Sequence, residues 1–249
     1  ITENTTPTAA VGVVFSVMFF VQAIGFFFGH GSGNYISREL GAQRHDNAQR
    51  MASTGFFLSF TLGLAVILIG EACITPLSLW LGSTPTILPY TEQYLGISLL
   101  GTPFFTSSLT MNNQMRFQGN ARLALWGILS GAIVNVLLDP LFIFVFDMGV
   151  AGAALATVIG QFVSFLILLR MTYLGGNIRY SWRNFTPKVA LFKEIIAGGT
   201  PSLSRQGLAC IAMILLNTAA SVYGDVAIAA MSIVSRCTMM VLAAVIGFG

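Results

Sequence analysis

The stretch Val134–Phe144, "VNVLLDPLFIF", decides how the rest of the chain is interpreted. Apolar residues on both sides extend it into a run long enough to cross a membrane as a helix. Asn135, Asp139 and Pro140 interrupt that run, although a charge and a proline are both costly inside a bilayer. The sequence therefore raises the question of what the aspartate does.

The composition indicates that lipid is the solvent for most of the chain. Of the 249 residues, 8% are charged and 55% are hydrophobic. A typical soluble domain has about 25% charged residues, so it could not hide this much apolar surface. The three cysteines lie far apart and lack the spacing of a metal site or a disulfide framework. We therefore expect an all-α polytopic membrane protein without an organic cofactor, and no partner among nucleic acids.

Hydropathy predicts seven membrane-spanning helices, each at least about 20 residues long, as ~30 Å of hydrocarbon requires. They lie near residues 9–35, 48–70, 93–115, 122–146, 149–171, 193–222 and 226–249. Basic and acidic residues alternate between successive loops, so that ten of the twelve basic residues fall on one side. The positive-inside rule makes that side cytoplasmic.

An internal repeat favours a two-lobed transporter. Ala9–Gly29 aligns without gaps on Ala229–Gly249, with seven of 21 positions identical. The two segments are six spans apart and therefore run in the same direction, as in transporters built from parallel repeats. Because the chain begins without methionine and stops inside an apolar stretch, we expect a piece of a twelve-helix parent, comprising its second to eighth helices.

This organisation predicts three regions. Residues 1–171 would belong to the first lobe, residues 172–192 would form a cytoplasmic amphipathic linker, and residues 193–249 would begin the second lobe. The Thr186-Pro187 pair is a plausible start for the helix that follows.

The polar residues of the fourth span form a candidate cation site. Asn135 and Asp139 are four residues apart and share one helix face. Pro140 removes a donor to the carbonyl near Val136 and should kink the helix. Thr157 lies as far after the turn near Met148 as Asp139 lies before it, so adjacent helices would bring the two level. These oxygens suit a proton or Na⁺; the alternative is that Asp139 is a helix-end residue at the outer interface.

Other polar residues in the spans are weaker candidates. Arg205 and Arg236 lie near mid-membrane, where an arginine should face a cavity or an acid unless it reaches the interface by snorkelling. Pro201 should bend or break the sixth span. Asn112 and Gln114 either line a cavity or meet water at the end of the third span. A further set is interpreted as interhelical hydrogen-bonding residues: Gln22, Gln161 and Asn217.

The stretch "GHGSG" (Gly29–Gly33) resembles a phosphate-binding loop only by its letters, because no strand precedes it and no lysine follows it. It is interpreted as a site of helix packing or as a helix end.

Several longer stretches resemble the multidrug and toxic compound extrusion (MATE) family. They are "ISRELGAQRHDNAQR", "RFQGNARLALWGILSGAIVNVLLDPLFIF" and "GVAGAALATVIGQ", and the stretches "GTPSLSRQGLA" and "YGDVAIAAMSIVSR" resemble its bacterial drug exporters. The resemblance runs the length of the chain. It implies twelve helices in two lobes in the bacterial plasma membrane, and export of small molecules by alternating access, driven by Na⁺ or H⁺ entry, by a monomer that is not an enzyme.

The resemblance also implies residue roles. The family's cation site uses an aspartate on the first helix, which here would precede Ile1, together with an N-x-x-x-D pair and a threonine. The pair corresponds to Asn135 and Asp139, and the threonine to Thr157. Some members carry a functional acid on the seventh helix, but this chain has Arg205 and Gln206 in that region, which argues against a second cation site and makes both residues candidates for the substrate cavity.

Two other functions are weighed against the drug exporter. The mid-membrane arginines favour an anionic headgroup, as in a flippase of the same superfamily that moves lipid-linked saccharides. A membrane receptor or an intramembrane enzyme is disfavoured by the repeat and by the lack of a catalytic set of residues.

Overall fold

The computed structural model describes the backbone of residues 5–174 and 176–248, and the side chains of residues 7–173, 176–235, 237 and 238. Nine α-helices make up most of the described chain, which contains no strand. They are α1 (Thr5–Gly41), α2 (His45–Ala72), α3 (Ile74–Trp80), α4 (Leu88–Leu100), α5 (Thr102–Phe117), α6 (Ala121–Pro140), α7 (Gly149–Leu174), α8 (Val189–Ser221) and α9 (Asp225–Phe248). A π-helix, Leu141–Val145, follows α6, and a 3₁₀-helix, Trp182–Asn184, precedes α8.

All seven predicted spans fall on helices. Within the described residues, five helices are long and apolar enough to cross a membrane: Pro7–Gly41, His45–Ala72, Ala121–Val145, Gly149–Tyr173 and Val189–Ser221. The predicted span 226–249 coincides with α9, whose side chains are described mainly up to Ser235. The chain is therefore a multi-pass membrane protein.

The predicted span 93–115 is not one helix but two. The break lies at Gly101, between α4 and α5, and Pro103 in the first turn of α5 has no N–H to donate to the preceding turn. Hydropathy averages over a window and does not register such a break. The short helix α3 was also absent from the prediction.

Pro140 and Pro201, for which a kink or bend was predicted, behave differently. After Pro140 the α-helix gives way to the π-helix, in which the Phe146 N–H donates to the Leu141 carbonyl over 3.0 Å. At Pro201 the prediction of a bend or break is wrong as regards a break, because α8 is helical from Val189 to Ser221. The Thr200 hydroxyl donates to the Ile196 carbonyl, the kind of side-chain bond by which membrane helices accommodate proline.

The connections between helices lie at two opposite ends of the bundle. We call the end with residues 42–44, 118–120 and 176–188 the basic end, and the end with residues 73–87, 146–148 and 222–224 the acidic end. An apolar core cluster lies toward each end, one around Val13, Leu95 and Ile228 and the other around Met51, Met115 and Ile195. Between them buried hydroxyls bond across helices, as Thr106 does to the Ser59 carbonyl at 3.1 Å.

Close approach of α1 to α8 at Gly31, and to α5 at Gly29 and Gly33, explains the glycines of the "GHGSG" stretch. A Cβ on Gly31 would lie 2.3 Å from the carbonyl oxygen of Ile195, and one on Gly198 would lie 3.1 Å from the Cα of Gly31. Such contacts allow helices to associate in lipid, where apolar surface alone gives little driving force. The interpretation of this stretch as helix packing is confirmed.

The segment between α7 and α8 folds back onto the basic end. Tyr180 and Trp182 stack on Phe56 and Phe57 of α2, with ring centroids 4.6 and 4.0 Å apart. The segment is not an amphipathic helix, since its described residues form only a 3₁₀ turn, and α8 begins at Val189, two residues after Pro187.

Candidate functional site

The predicted cation-site residues lie together where α6 meets α7. The Asn135 amide nitrogen donates to the Thr157 hydroxyl over 3.4 Å, and that hydroxyl donates to the Ala153 carbonyl over 3.0 Å. Asp139 lies one turn further toward the acidic end on the same face of α6, with its side chain half-buried and its Oδ1 atom buried. Thr157 is therefore level with Asn135. The prediction that it is level with Asp139 was wrong by one helical turn.

Small residues explain why the two helices approach so closely there. A Cβ on Gly131 would lie 2.4 Å from the Gly160 carbonyl oxygen, and one on Gly160 would lie 3.1 Å from the Asn135 Cβ. Ser164 adds a hydrogen bond of 3.0 Å to the Gly127 carbonyl. This seam of small residues between α6 and α7 allows Asn135 to contact Thr157.

A cavity of about 210 Å³ opens beside this pair, between α5, α6 and α7. Its polar lining residues are Ser108, Asn135, Thr157, Gln161 and Ser164. Phe105, Ile128 and three small residues supply the rest. The lining contains no ionisable side chain, so the cavity presents neutral hydroxyl and amide groups next to the helix that carries Asp139.

The remaining residues proposed for the substrate cavity lie elsewhere. Gln114 is fully buried at the basic end, where its amide nitrogen donates to the Ser32 hydroxyl at 2.8 Å and its amide oxygen accepts from the Tyr180 hydroxyl at 2.8 Å. Asn112 is half-buried and donates to the Ala124 carbonyl at 2.7 Å. Both side chains connect elements of the bundle, and neither lines the cavity beside Asn135.

The structure describes two of the three candidate residues on the helices of the predicted second lobe. Arg205 is exposed on α8 and Gln206 beside it is half-buried. Arg205 lies within electrostatic range of His30, as does Arg116 at the end of α5. The side chain of Arg236 is outside the described residues.

Sequence reasoning missed two residues of the cavity. Gln161 was interpreted as an interhelical hydrogen-bonding residue, but its buried Oε1 atom has no hydrogen-bond partner within the described part of the chain. Ser108 was not singled out, and as one of two adjacent serines in α5 it carries no distinguishing signal. For Gln161 a signal exists, since it follows Thr157 by four residues and so shares its helix face.

The chemical character of the candidate site is given by its oxygen-bearing side chains. Its groups are one carboxylate, amide oxygens and hydroxyls, which are ligands for a proton or a hard cation. No group of three or more metal-ligating His, Cys, Asp or Glu side chains occurs among the described residues. A buried carboxylate is costly unless it is neutralised, so cation binding and the surrounding packing are energetically linked.

Comparison with known proteins gives consistent results. The model of the MatE family matches residues 4–141. The multidrug export protein MepA of Staphylococcus haemolyticus is 28% identical over 235 residues, and that of Staphylococcus aureus strain MRSA252 is 28% identical over 239 residues. Each alignment covers 94% of this chain and 52% of the relative, so the chain spans about half the length of these proteins.

Solved structures of transporters share the fold. An inward-facing multidrug resistance MATE family transporter superposes with a TM-score of 0.89 at 28% identity, over 95% of this chain and 54% of that one. A transporter of the MOP superfamily from Pyrococcus furiosus, described as having a binding pocket of reverse polarity, gives a TM-score of 0.80 at 28% identity, over 93% and 52%.

The family model covers more than half of the residues, and the helices superpose on those of known members over nearly the whole chain. The protein is therefore a member of the MatE family of multidrug efflux transporters.

Proposed function

We propose that this chain is part of a secondary active antiporter that exports drugs or other organic cations from a bacterium. Entry of Na⁺ or H⁺ would drive export by alternating access of two lobes, with residues 1–171 in the first lobe, residues 193–249 in the second, and the basic end cytoplasmic. The relatives of known function are named as multidrug export proteins.

The observation that carries the proposal is the contact between Asn135 and Thr157, one helical turn from the buried oxygen of Asp139. In this scheme Asp139 binds the coupling ion, and Asn135 and Thr157 supply further oxygens. Binding removes a charge from the membrane interior. That removal can shift the balance between two lobe arrangements by as much as the ion's affinity differs between them.

Pro140 would make the site adjustable. The π-helix that follows it leaves the backbone between Leu141 and Val145 with wider hydrogen-bonded turns than an α-helix. We infer that this segment changes its winding when the ion binds, which would alter the acidic end of α6.

A second candidate substrate is the anionic headgroup of a lipid-linked saccharide. The favouring observation is that two arginines, Arg205 of α8 and Arg116 at the end of α5, both lie within electrostatic range of His30 on α1. Arg205 is exposed near the middle of α8, where an arginine calls for a negatively charged partner.

The experiment uses the full-length transporter in liposomes. A Na⁺ gradient and a pH gradient are imposed separately, and export of a cationic dye is followed in the wild type, in Asp139→Asn and in Asp147→Asn. Asp147 is a matched control, because it is exposed and its positive φ of 51° suits asparagine as well as aspartate.

We expect one gradient to drive export, Asp139→Asn to abolish the gradient dependence, and Asp147→Asn to behave as the wild type. Unchanged ion dependence in Asp139→Asn would refute the site. If neither gradient moves dye in the wild type, the lipid-linked substrate becomes the leading candidate.

A further inference from the structure

Two buried polar atoms in the cavity beside Asn135 need an explanation. The Ser108 hydroxyl and the Gln161 Oε1 are both buried, and neither has a hydrogen-bond partner within the described residues. Buried polar atoms of native proteins are nearly always satisfied, by protein, water or an ion. Both atoms line the same cavity of about 210 Å³, which has room for several water molecules.

The break between α4 and α5 creates the space for Gln161. A Cβ on Gly101 would lie 2.1 Å from Gln161 Oε1 and 3.2 Å from Val158. The amide group therefore lies directly against a backbone position without a side chain. An ordinary residue at position 101 would collide with the Gln161 amide and displace it.

The chemistry of the lining selects the kind of ligand. Serine, threonine and glutamine oxygens do not ionise near neutral pH, so the lining cannot hold a proton on a titratable group. Ser164 donates its hydroxyl hydrogen to the Gly127 carbonyl, which leaves its oxygen lone pairs available. Thr157 donates to the Ala153 carbonyl and accepts from the Asn135 amide, which leaves one lone pair of its oxygen available. Neutral oxygens of this kind coordinate alkali-metal cations that keep part of their hydration shell.

The position of the cavity relates it to the carboxylate. Gln161 lies one turn beyond Thr157 toward the basic end, and Asp139 lies one turn beyond Asn135 toward the acidic end. Since Asn135 and Thr157 are level, the two positions differ by about 12 Å along the helix axes at 1.5 Å per residue. An ion that leaves Asp139 for the basic end would meet Ser108 and Gln161 next.

We propose that this cavity is a second cation site, made of neutral oxygens from Ser108, Gln161 and Thr157, which receives partly hydrated Na⁺ on its way from Asp139 to the basic end. The inference rests on the proposed function and adds to it a transit site with its own ligands.

The test measures water and ion access at position 108. In full-length protein without its native cysteines, Ser108→Cys is compared with Ser107→Cys, using a small neutral water-soluble thiosulfonate in Na⁺ or choline. Ser107 is a matched control, because it is fully buried and its hydroxyl donates to the Pro103 carbonyl at 2.7 Å. We expect the thiol at position 108 to react and the thiol at position 107 to remain unmodified.

Sodium should protect the thiol at position 108. By mass action, Na⁺ at about ten times its dissociation constant slows the reaction about tenfold. Adding Gln161→Leu should remove the protection, whereas adding Asp139→Asn should leave it. An unreactive thiol, a reactive thiol that Na⁺ does not protect, or protection that vanishes with Asp139→Asn would each overturn the second site. Failure of the proposed function appears separately, as ion-driven export that survives Asp139→Asn.

Discussion

At the scale of single residues, the proposed ion site depends on the Asp139 carboxylate and the oxygens near it. In the proposed function Asp139 binds the coupling ion, and the oxygens near it would determine how tightly that cation binds. Thr157 is the neighbour whose contribution can be tested cleanly, because its hydroxyl bonds both to Asn135 and to the Ala153 carbonyl.

Thr157→Val keeps the shape of the side chain and removes its oxygen. A hydrogen bond to a charged group contributes about 1.5–3 kcal/mol, so the ion concentration for half-maximal export should rise at least about tenfold. Thr157→Ser retains the oxygen and should stay close to the wild type. Equal ion dependence in the valine and serine variants would show that Thr157 is not a ligand.

Sequence could predict the residues of this site but not their surroundings. The spacing of Asn135, Asp139 and Thr157 follows from helix periodicity and from a turn near Met148, and the structure brings Asn135 and Thr157 into contact. The burial of the Gln161 Oε1 atom without a hydrogen-bond partner in the described residues could not be predicted. It depends on Gly101, which is sixty residues away in sequence and belongs to a helix break that hydropathy does not register.

At the scale of helices, the seam between α6 and α7 positions the site. It is held by glycines whose substitution would force the helices apart, whereas Gly207 on α8 has open space around its Cα. The predicted alternation of spans and loops is confirmed. The close contact between α6 and α7 could not be predicted, because it depends on which helix faces meet. In lipid the helices have low amphipathicity, so the sequence gives little indication of those faces.

Gly131→Ala should therefore weaken both stability and ion coupling. Its Cβ would meet the Gly160 carbonyl oxygen at 2.4 Å and the Ser164 Cβ at 2.7 Å. Overpacking of this kind costs about 1–3 kcal/mol, and the displacement should separate Asn135 from Thr157. Thermal unfolding in detergent and the ion dependence of export measure the two effects. Gly207→Ala is the control, and an identical outcome for the two variants would contradict the importance of the seam.

The segment between α7 and α8 joins the helices at the basic end through Tyr180. Burial raises the pKa of the Tyr180 hydroxyl above its ordinary value, so the group remains a protonated donor to Gln114. Since the folded pKa is raised, the stabilisation is complete below the ordinary value of about 10 and is lost only as pH rises beyond it.

Tyr180→Phe should leave the Gln114 amide oxygen buried without that donor, at a cost of about 1–3 kcal/mol. The expected result is a lower melting temperature at every pH from 5 to about 9, with no change in slope. Tyr173→Phe is the control, because Tyr173 is exposed at the end of α7. A melting temperature for Tyr180→Phe equal to that of the control would show that the bond contributes nothing.

At the scale of the whole molecule, α1 connects the predicted lobes. In its half toward the acidic end, α1 accepts a hydrogen bond from Asn217 of α8. In its half toward the basic end, Gly31 packs against α8 and Arg38 pairs with Glu194 of α8. Helices of both predicted lobes are thus in contact along one another's length. In the proposed mechanism, ion binding at Asp139 would affect the substrate through such contacts between the predicted lobes.

The most direct test of the central claim measures dye affinity in the full-length protein as the coupling ion is varied. In an antiporter, binding of the ion should lower the affinity for the substrate. Thermodynamic linkage then requires that binding of the substrate lowers the affinity for the ion by the same factor. We predict that raising the ion concentration weakens dye binding in the wild type and in Asp147→Asn, and has no effect in Asp139→Asn. Dye affinity that is independent of the ion in the wild type, or equally dependent on it in Asp139→Asn, would contradict the account.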